Sequence, residues 1–544
     1  MSLLEERRRR LALTGYVAAT FLAFPHELPW GGALDLGWLM AWLVPAALVN
    51  GIEGLGPRRA AGRAFLASLV AHALLFHWFF VVTVVYGGMP AALGVLSPLL
   101  PALYVAVFTA LFAWLWSLAR IRGVAGVLLG AAVWVTVDWA RGHALGGFPW
   151  ATLGYALHRD VPLLGLTRWT GVYGLSFVAA AWGIALAGLW PRPRARAGRT
   201  LALVAGLVVM AHGLGPLLQR SDFGSVEEIR IAAVQGNIDQ AEKWSEERRE
   251  RILDRYARLT EQAAERGAAW VVWPETALPG LLEVDPSLSA RLKLLAQRHD
   301  VVLVIGGMGV APDESGTRIG AFFDSAFVID PEGRILDRYD KTHLVPFGEY
   351  VPLRELLGHF FQALARGLST MDVTAGSAPR AILVAGGEAL EPPYRIGVPI
   401  CYELLFPDLV RRFADSGAGV LLAITNDAWY GRTGAPHQFL AMTVLRSAEN
   451  GRWTVRAANT GVSAIIDDRG RVREASALFE EGVLVADVPI VRSGEATFYA
   501  RHGDVFAWLC VAATGVGLGC GSFVARRPRP GGDVSGLEDF EGNE

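Results

Sequence analysis

The sequence predicts a polytopic α-helical membrane domain of about eight spans joined to an α/β domain of layered helices and sheets. Three observations point there. The 544 residues are 52% hydrophobic and only 19% charged, with a mean hydropathy of +0.34, which is too apolar for a wholly soluble chain of this length. The apolar runs are each about 20 residues long, the length a bilayer core requires, and basic clusters separate them. Residues 222–500 break that pattern with alternating helix-like and strand-like stretches. The net charge of −2, with basic residues grouped between apolar runs and not along one face, argues against nucleic acid as a partner.

Taken in order, the candidate spans fall at about 11–27, 34–52, 64–87, 92–119, 123–140, 171–190, 200–218 and 503–525. The stretch MSLLEERRRR before the first reads as the flank of a retained span, because no small-residue cleavage site follows it. From Ala64 to Ala119 there is no Asp, Glu, Lys or Arg. Arg7 to Arg10, Arg58/Arg59/Arg63, Arg120/Arg122, Arg192/Arg194/Arg196/Arg199 and Arg526/Arg527/Arg529 occupy every second connection. The positive-inside rule then makes both termini cytoplasmic. With seven spans in residues 1–220 and the eighth at 503–525, the region 222–500 faces the extracytoplasmic side, and 526–544 is a cytoplasmic tail, acidic and Gly-rich enough to be disordered.

Within 222–500, EIRIAAVQGN reads as a strand, SEERRERILDRYARLTEQAAERG as a charged amphipathic helix and AAWVVWPE as a buried strand. SLSARLKLLAQRHD continues as a helix and VVLVIGGMG as a strand. Hairpin turns are expected at Pro331-Glu332-Gly333 and at Asp468-Arg469-Gly470. Alternation of this kind implies layered helices over mixed sheets.

Cys401 is the only cysteine in that region, since Cys510 and Cys520 fall in the last apolar segment, so it should be a free thiol. It ends the strand-like run RIGVPI, where a nucleophile is well displayed. An ordinary thiol is protonated at neutral pH and needs a base or a neighbouring positive charge. Glu275, ending AAWVVWP, could be that base, its carboxyl raised by partial desolvation. Lys341, ending GRILDRYD and held charged by acidic partners, could stabilise a thiolate and an oxyanion, with the backbone N–H of Tyr402 as second donor. Each alone has a structural reading: an inert core thiol, a helix-cap neighbour and a solvated turn lysine. Together at three strand ends, with Glu349 in PFGEYVP and Glu403 beside the thiol, they point to acyl-transfer chemistry.

WPET, DKTHLVPFGEYVP and PICYE resemble the three signature segments of the nitrilase (carbon–nitrogen hydrolase) superfamily. Eight spans around such a domain resemble the apolipoprotein N-acyltransferases of bacterial inner membranes, and VQGNIDQAEKW, NDAWYG, RAANTGVS and GGFPWATLGY are similar to segments of that family. The resemblance implies an α-β-β-α sandwich with a Glu275, Lys341 and Cys401 triad, supported by Trp244, Glu349, Tyr402 and Glu403. It further implies ping-pong transfer of an acyl chain from a glycerophospholipid, the sn-1 chain of phosphatidylethanolamine, to the α-amino group of a diacylglyceryl-cysteine apolipoprotein. That chemistry belongs on the periplasmic face of the inner membrane. No cofactor or metal is expected, because neither a His/Cys ligand cluster nor a phosphate-binding glycine loop is present.

Two other readings compete: a membrane-tethered amidase releasing the acyl group to water, and a transporter with an appended binding domain. Against the latter, the spans carry no charge near mid-membrane. His72 and His77 read as packed imidazoles, Asp138 and Arg141 as a local pair, His437 as a helix cap and GGFPWATLGY as an interfacial segment beneath the soluble domain. A stripe of Leu353, Leu356, Leu357, Phe360, Phe361, Leu364 and Leu368 predicts a helix over 353–368, either core or a mobile lid.

Overall fold

The computed structural model describes residues 3–119, 121–190, 195–219, 225–240, 243, 246–350, 373–384, 393–493 and 496–525. The expected helix over 353–368, Trp244 and the tail 526–544 lie outside the described residues.

All eight predicted segments contain helix: Leu3–Leu22, Val44–Ile52, Pro57–Leu75, Leu99–Leu118, Gly123–His143, Val172–Ala187, Ala195–Leu218 and Val505–Ala525. Three helices among the described residues are long and apolar enough to cross a membrane: Ala91–Leu118, Gly123–Gly146 and Arg196–Leu218. A fourth is reached if Val161–Thr170 and Val172–Ala187, bent by 119°, count as one broken span. Val505–Gly519 is a shorter apolar helix among the described residues, and the remaining three fall short for visible reasons. The first begins in the charged run Glu5 to Arg10, the second is interrupted after Gly37–Met40, and the third gives way to a π-helical turn at Val81–Tyr86. At the bend Gly171 takes φ +60, and a side chain there would come within 2.5 Å of the Tyr499 ring, so only glycine fits where the bundle meets the second domain.

That domain holds two six-stranded sheets. The first comprises β1 (Ser225–Gln235), β2 (Trp270–Val272), β3 (Val302–Pro312), β4 (Ile319–Ile329) and β5 (Ile335–Asp340). The second comprises β6 (Ile382–Val384), β7 (Tyr394–Gly397), β8 (Val420–Thr425), β9 (Thr454–Ala458), β10 (Ala464–Ile466) and β11 (Val472–Ala475). The last strand, β12 (Gly482–Ser493), returns to pair with β1, giving the orders β12-β1-β2-β3-β4-β5 and β11-β10-β9-β8-β7-β6. In each sheet three central strands run parallel and the flanking ones antiparallel. Both predicted hairpins form, with Gly333 and Gly470 at φ +78 and +79, the left-handed turn positions.

The two-residue period of a strand decides which face each side chain serves. Ile231, Ala233, Trp270, Val272, Val302 and Val304 belong to the core shared with the second sheet. Their neighbours Ala232, Val234, Val271, Trp273, Leu303 and Ile305 pack with Ile252, Tyr256, Leu288 and Leu292 of the helices Arg249–Glu265 and Pro286–His299. On the other side, Pro407–Asp415 and Ala435–Asn450 bury Val410, Phe413, Phe439 and Met442 in a core continuous with Trp150, Tyr155 and Leu164 of the bundle. The result is an α-β-β-α sandwich seated on the membrane helices.

The expected Asp138–Arg141 pair forms at 3.1 Å. GGFPWATLGY does run beneath the sandwich, where Trp150 Nε1 donates to Gln438 Oε1 at 2.8 Å. His437 departs from the expected cap: its Nε2 lies 2.6 Å from Glu27 Oε2, tying the sandwich to the loop after the first helix.

Candidate active site

The segments that leave the carboxyl ends of β2 and β5 in one sheet and of β7 and β8 in the other converge. After β2, Glu275 opens a turn in which Thr276 takes the left-handed φ +46. β5 delivers Lys341 directly. Beyond β7, Ile400 bridges to Ile424 of β8, so Cys401 stands beside the end of β8 and is itself held at φ +47. A non-glycine residue in that region is strained, and surrounding contacts must hold it there. Glu403 supplies them. One carboxylate oxygen accepts from Ile400 N at 2.8 Å, while the other accepts from Tyr339 Oη at 2.6 Å, Thr342 N at 2.7 Å and Thr342 Oγ1 at 2.8 Å. The nucleophile turn is thereby bolted to the residues flanking Lys341.

Glu275 is fixed at both oxygens: Oε1 accepts from Lys341 Nζ at 2.9 Å and Oε2 from Asn426 N at 2.7 Å. Lys341 Nζ also donates to Asp324 Oδ2 at 3.1 Å and Glu349 Oε1 at 2.5 Å. Its three N–H bonds are therefore all used. The oxygens of Glu275, Asp324 and Glu349 lie within 4.8 Å of one another, close enough to share a metal ion, and the Lys341 ammonium is the cation bonded to all three.

The electrostatics differ from the expectation for isolated strand ends. Burial pushes the Cys401 thiol well above its ordinary range; Glu275 adds to this and Lys341 opposes it. Burial, as the largest cause, thus leaves the thiol protonated at rest, so that it needs the base the sequence called for. For Glu275 burial acts upward as anticipated, yet the Lys341 charge and hydrogen bonds from Asp324 and Lys341 outweigh it, and the carboxyl is lowered. Burial and the neighbouring carboxylates raise Asp324 and Glu349 against the pull of Lys341. Lys341 in turn is raised well above an ordinary lysine, because the three carboxyl groups overcome its burial. The site accordingly holds an ionised Glu275 beside a neutral thiol and a fixed ammonium.

Tyr402 stacks on His343 with ring centroids 5.7 Å apart and meets Phe406 at 5.2 Å. Behind the site, Asp427 and Arg456, both fully buried, pair at 2.6 Å. Glu275, Lys341, Cys401, Glu349, Tyr402 and Glu403 are all brought together. Three contributors went unread in the sequence: Asp324, Asn426 and Lys243. Asp324 had a signal, a lone acid in the apolar strand AFFDSAFVI; Lys243 and Asn426 lie in the segments VQGNIDQAEKW and NDAWYG, which were singled out without a role for either residue.

Residues 230–498 match the family Carbon-nitrogen hydrolase, and residues 17–185 match Apolipoprotein N-acyltransferase N-terminal domain. The apolipoprotein N-acyltransferase of Geobacter metallireducens is 38% identical over 88% of this chain and 90% of its own length. That of Azotobacter vinelandii is 35% identical over 83% and 85%. An amidase structure from Nesterenkonia sp. overlaps 49% of this chain and 93% of its own, at 20% identity and a TM-score of 0.36.

Proposed function

This chain belongs to the apolipoprotein N-acyltransferase family, and from that premise we propose that it N-acylates lipoproteins by a ping-pong route through a thioester on Cys401. The observation that carries the reading is the charge pattern around the thiol: Glu275 and Lys341, paired at 2.9 Å, are the two charges that act most strongly on it.

Glu275, ionised and oriented by Lys341 and Asn426, takes the thiol proton as Sγ attacks an ester carbonyl of a glycerophospholipid, with phosphatidylethanolamine as the proposed donor. The carbonyl oxygen becomes an oxyanion, stabilised by the Lys341 charge and by the Tyr402 N–H. All three Lys341 donors are occupied at rest, so it acts first as a charge. The C–O bond breaks, Glu275 returns the proton to the lysophospholipid alkoxide, and a thioester remains. The α-amino group of a diacylglyceryl-cysteine N-terminus then attacks the thioester. An amide C–N bond forms, the C–S bond breaks, and the amine proton returns through Glu275 to the sulfur.

Eight spans with cytoplasmic termini, seven of them within 1–220 and the last at 503–525, would put the sandwich 222–500 on the periplasmic face, where both lipidated substrates lie. Incubation with acyl-labelled phosphatidylethanolamine should give a hydroxylamine-labile adduct on Cys401, which chases onto the amino terminus of a diacylated lipopeptide. An equal adduct on Cys401→Ala overturns the reading.

A further inference from the structure

Lys243 is a second buried lysine at the site, 2% exposed, and the triad chemistry does not use it. Its Nζ donates to the Glu275 carbonyl oxygen at 2.9 Å and to Thr276 Oγ1 at 2.6 Å. These are the two residues of the strained turn, where Thr276 is left-handed. The Glu275 carboxylate is held from the front by Lys341 and Asn426, and Lys243 fixes its main chain from behind. We propose, resting on the acyl-enzyme reading above, that Lys243 is a positioning residue for the general base, and that its charge must be present while Cys401 is acylated.

Lys243 acts on the site in two ways. A left-handed non-glycine turn relaxes unless contacts over-determine it, and a displacement of about 1 Å at a base costs about 10²-fold in rate. Secondly, three carboxyl groups surround one ammonium before the reaction adds a further negative charge at sulfur or oxygen, so a second cation lowers the cost of that charge. The charged or titratable groups facing Lys243 are Glu275, Asp324 and the Cys401 thiol, and negative charge on any of them favours its protonated form. Burial outweighs them and brings the ammonium down to about 8. It is charged below that pH and neutral above it.

The test follows the initial rate of thioester formation from labelled phosphatidylethanolamine against pH, with full-length protein in detergent micelles. This half-reaction contains no acceptor amine. Wild type should lose rate as pH rises through about 8. Lys243→Arg, which stays charged, should carry that fall upward by a unit or more. Lys243→Met should be at least about tenfold slower at pH 7 and show no fall near 8. Iodoacetamide labelling of Cys401, read by mass spectrometry, gives a lipid-free measure and should slow in Lys243→Met and not in Lys243→Arg. A wild-type profile flat through pH 9, an unmoved fall in Lys243→Arg, or Lys243→Met within twofold of wild type overturns the proposal. If Lys243→Met does not fold, the wild-type and Lys243→Arg profiles decide. Absence of any wild-type thioester would overturn the acyl-enzyme reading instead, and labelling of Cys401 would then still decide whether Lys243 governs the thiol.

Discussion

Cys401, Glu275 and Lys341 form a set whose members change one another's protonation. Because Glu275 raises the thiol and Lys341 lowers it, substitutions should move the iodoacetamide titration of Cys401 in opposite directions. Glu275→Gln should bring its midpoint down and Lys341→Met should take it up, although both slow acyl transfer. Loss of the base should cost about 10²–10⁴ in acylation rate, and loss of the preorganised charge about 10²–10³. Midpoints that move together, or acylation near wild type, would remove the triad assignment. The pH sign follows from Glu275 being lowered: the base stays ionised through the usual carboxylate range, so acylation should hold through that range and fall only beneath it. A midpoint at pH 6 in the acid limb, measured on the half-reaction, would contradict this.

At the scale of elements, the site is a meeting of strand ends that only stays assembled if the buried polar ties survive. Asp427, directly after the β8 turn that orients Glu275, balances Arg456, and both side chains are fully buried. Arg456 also donates to Thr443 Oγ1 at 2.7 Å and to the Val462 carbonyl at 3.1 Å. Asp427→Ala leaves the guanidinium without its charge partner, which typically costs about 3–5 kcal/mol. Denaturant unfolding of the detergent-solubilised protein should register that loss, and a change under 1 kcal/mol would show that the pair is compensated. Glu403 predicts something different. Glu403→Gln keeps shape and volume but weakens four hydrogen bonds to the Cys401 turn and the residues around Lys341. The expected outcome is a fall in acylation rate larger than the loss of stability, read by comparing kcat with the unfolding midpoint. How these elements read from sequence depended on period. Trp270–Val272, Val302–Pro312 and both hairpins were visible because apolar alternation and turn residues are local signals. The run RIGVPI, which overlaps Tyr394–Gly397, was visible in the same way, whereas its short antiparallel partner Ile382–Val384 was not, since three residues carry too little period to register.

For the molecule as a whole, the arrangement to be tested is the topology. Cysteines introduced at Leu3 and Gly531, in a chain with Cys401, Cys510 and Cys520 replaced, should react with a membrane-impermeant maleimide only after the inner membrane is opened. One at Asp300, exposed on the sandwich, should react once the outer membrane alone is permeable. The reverse pattern would invert the orientation. The sequence by itself determined the division into apolar and soluble parts, the charge alternation of the connections and the three strand ends that carry Glu275, Lys341 and Cys401. Hydropathy, period and turn chemistry are properties of neighbours along the chain. Only the tertiary structure decided that Asp324 and Lys243 join the site, that the thiol is neutral and that Glu275 is ionised. Lys341 lies 66 residues from Glu275 and 17 from Asp324 along the chain, yet bonds to both. Protonation states there follow from charges brought into hydrogen-bond contact in a buried, weakly screening interior, and no local pattern encodes that proximity.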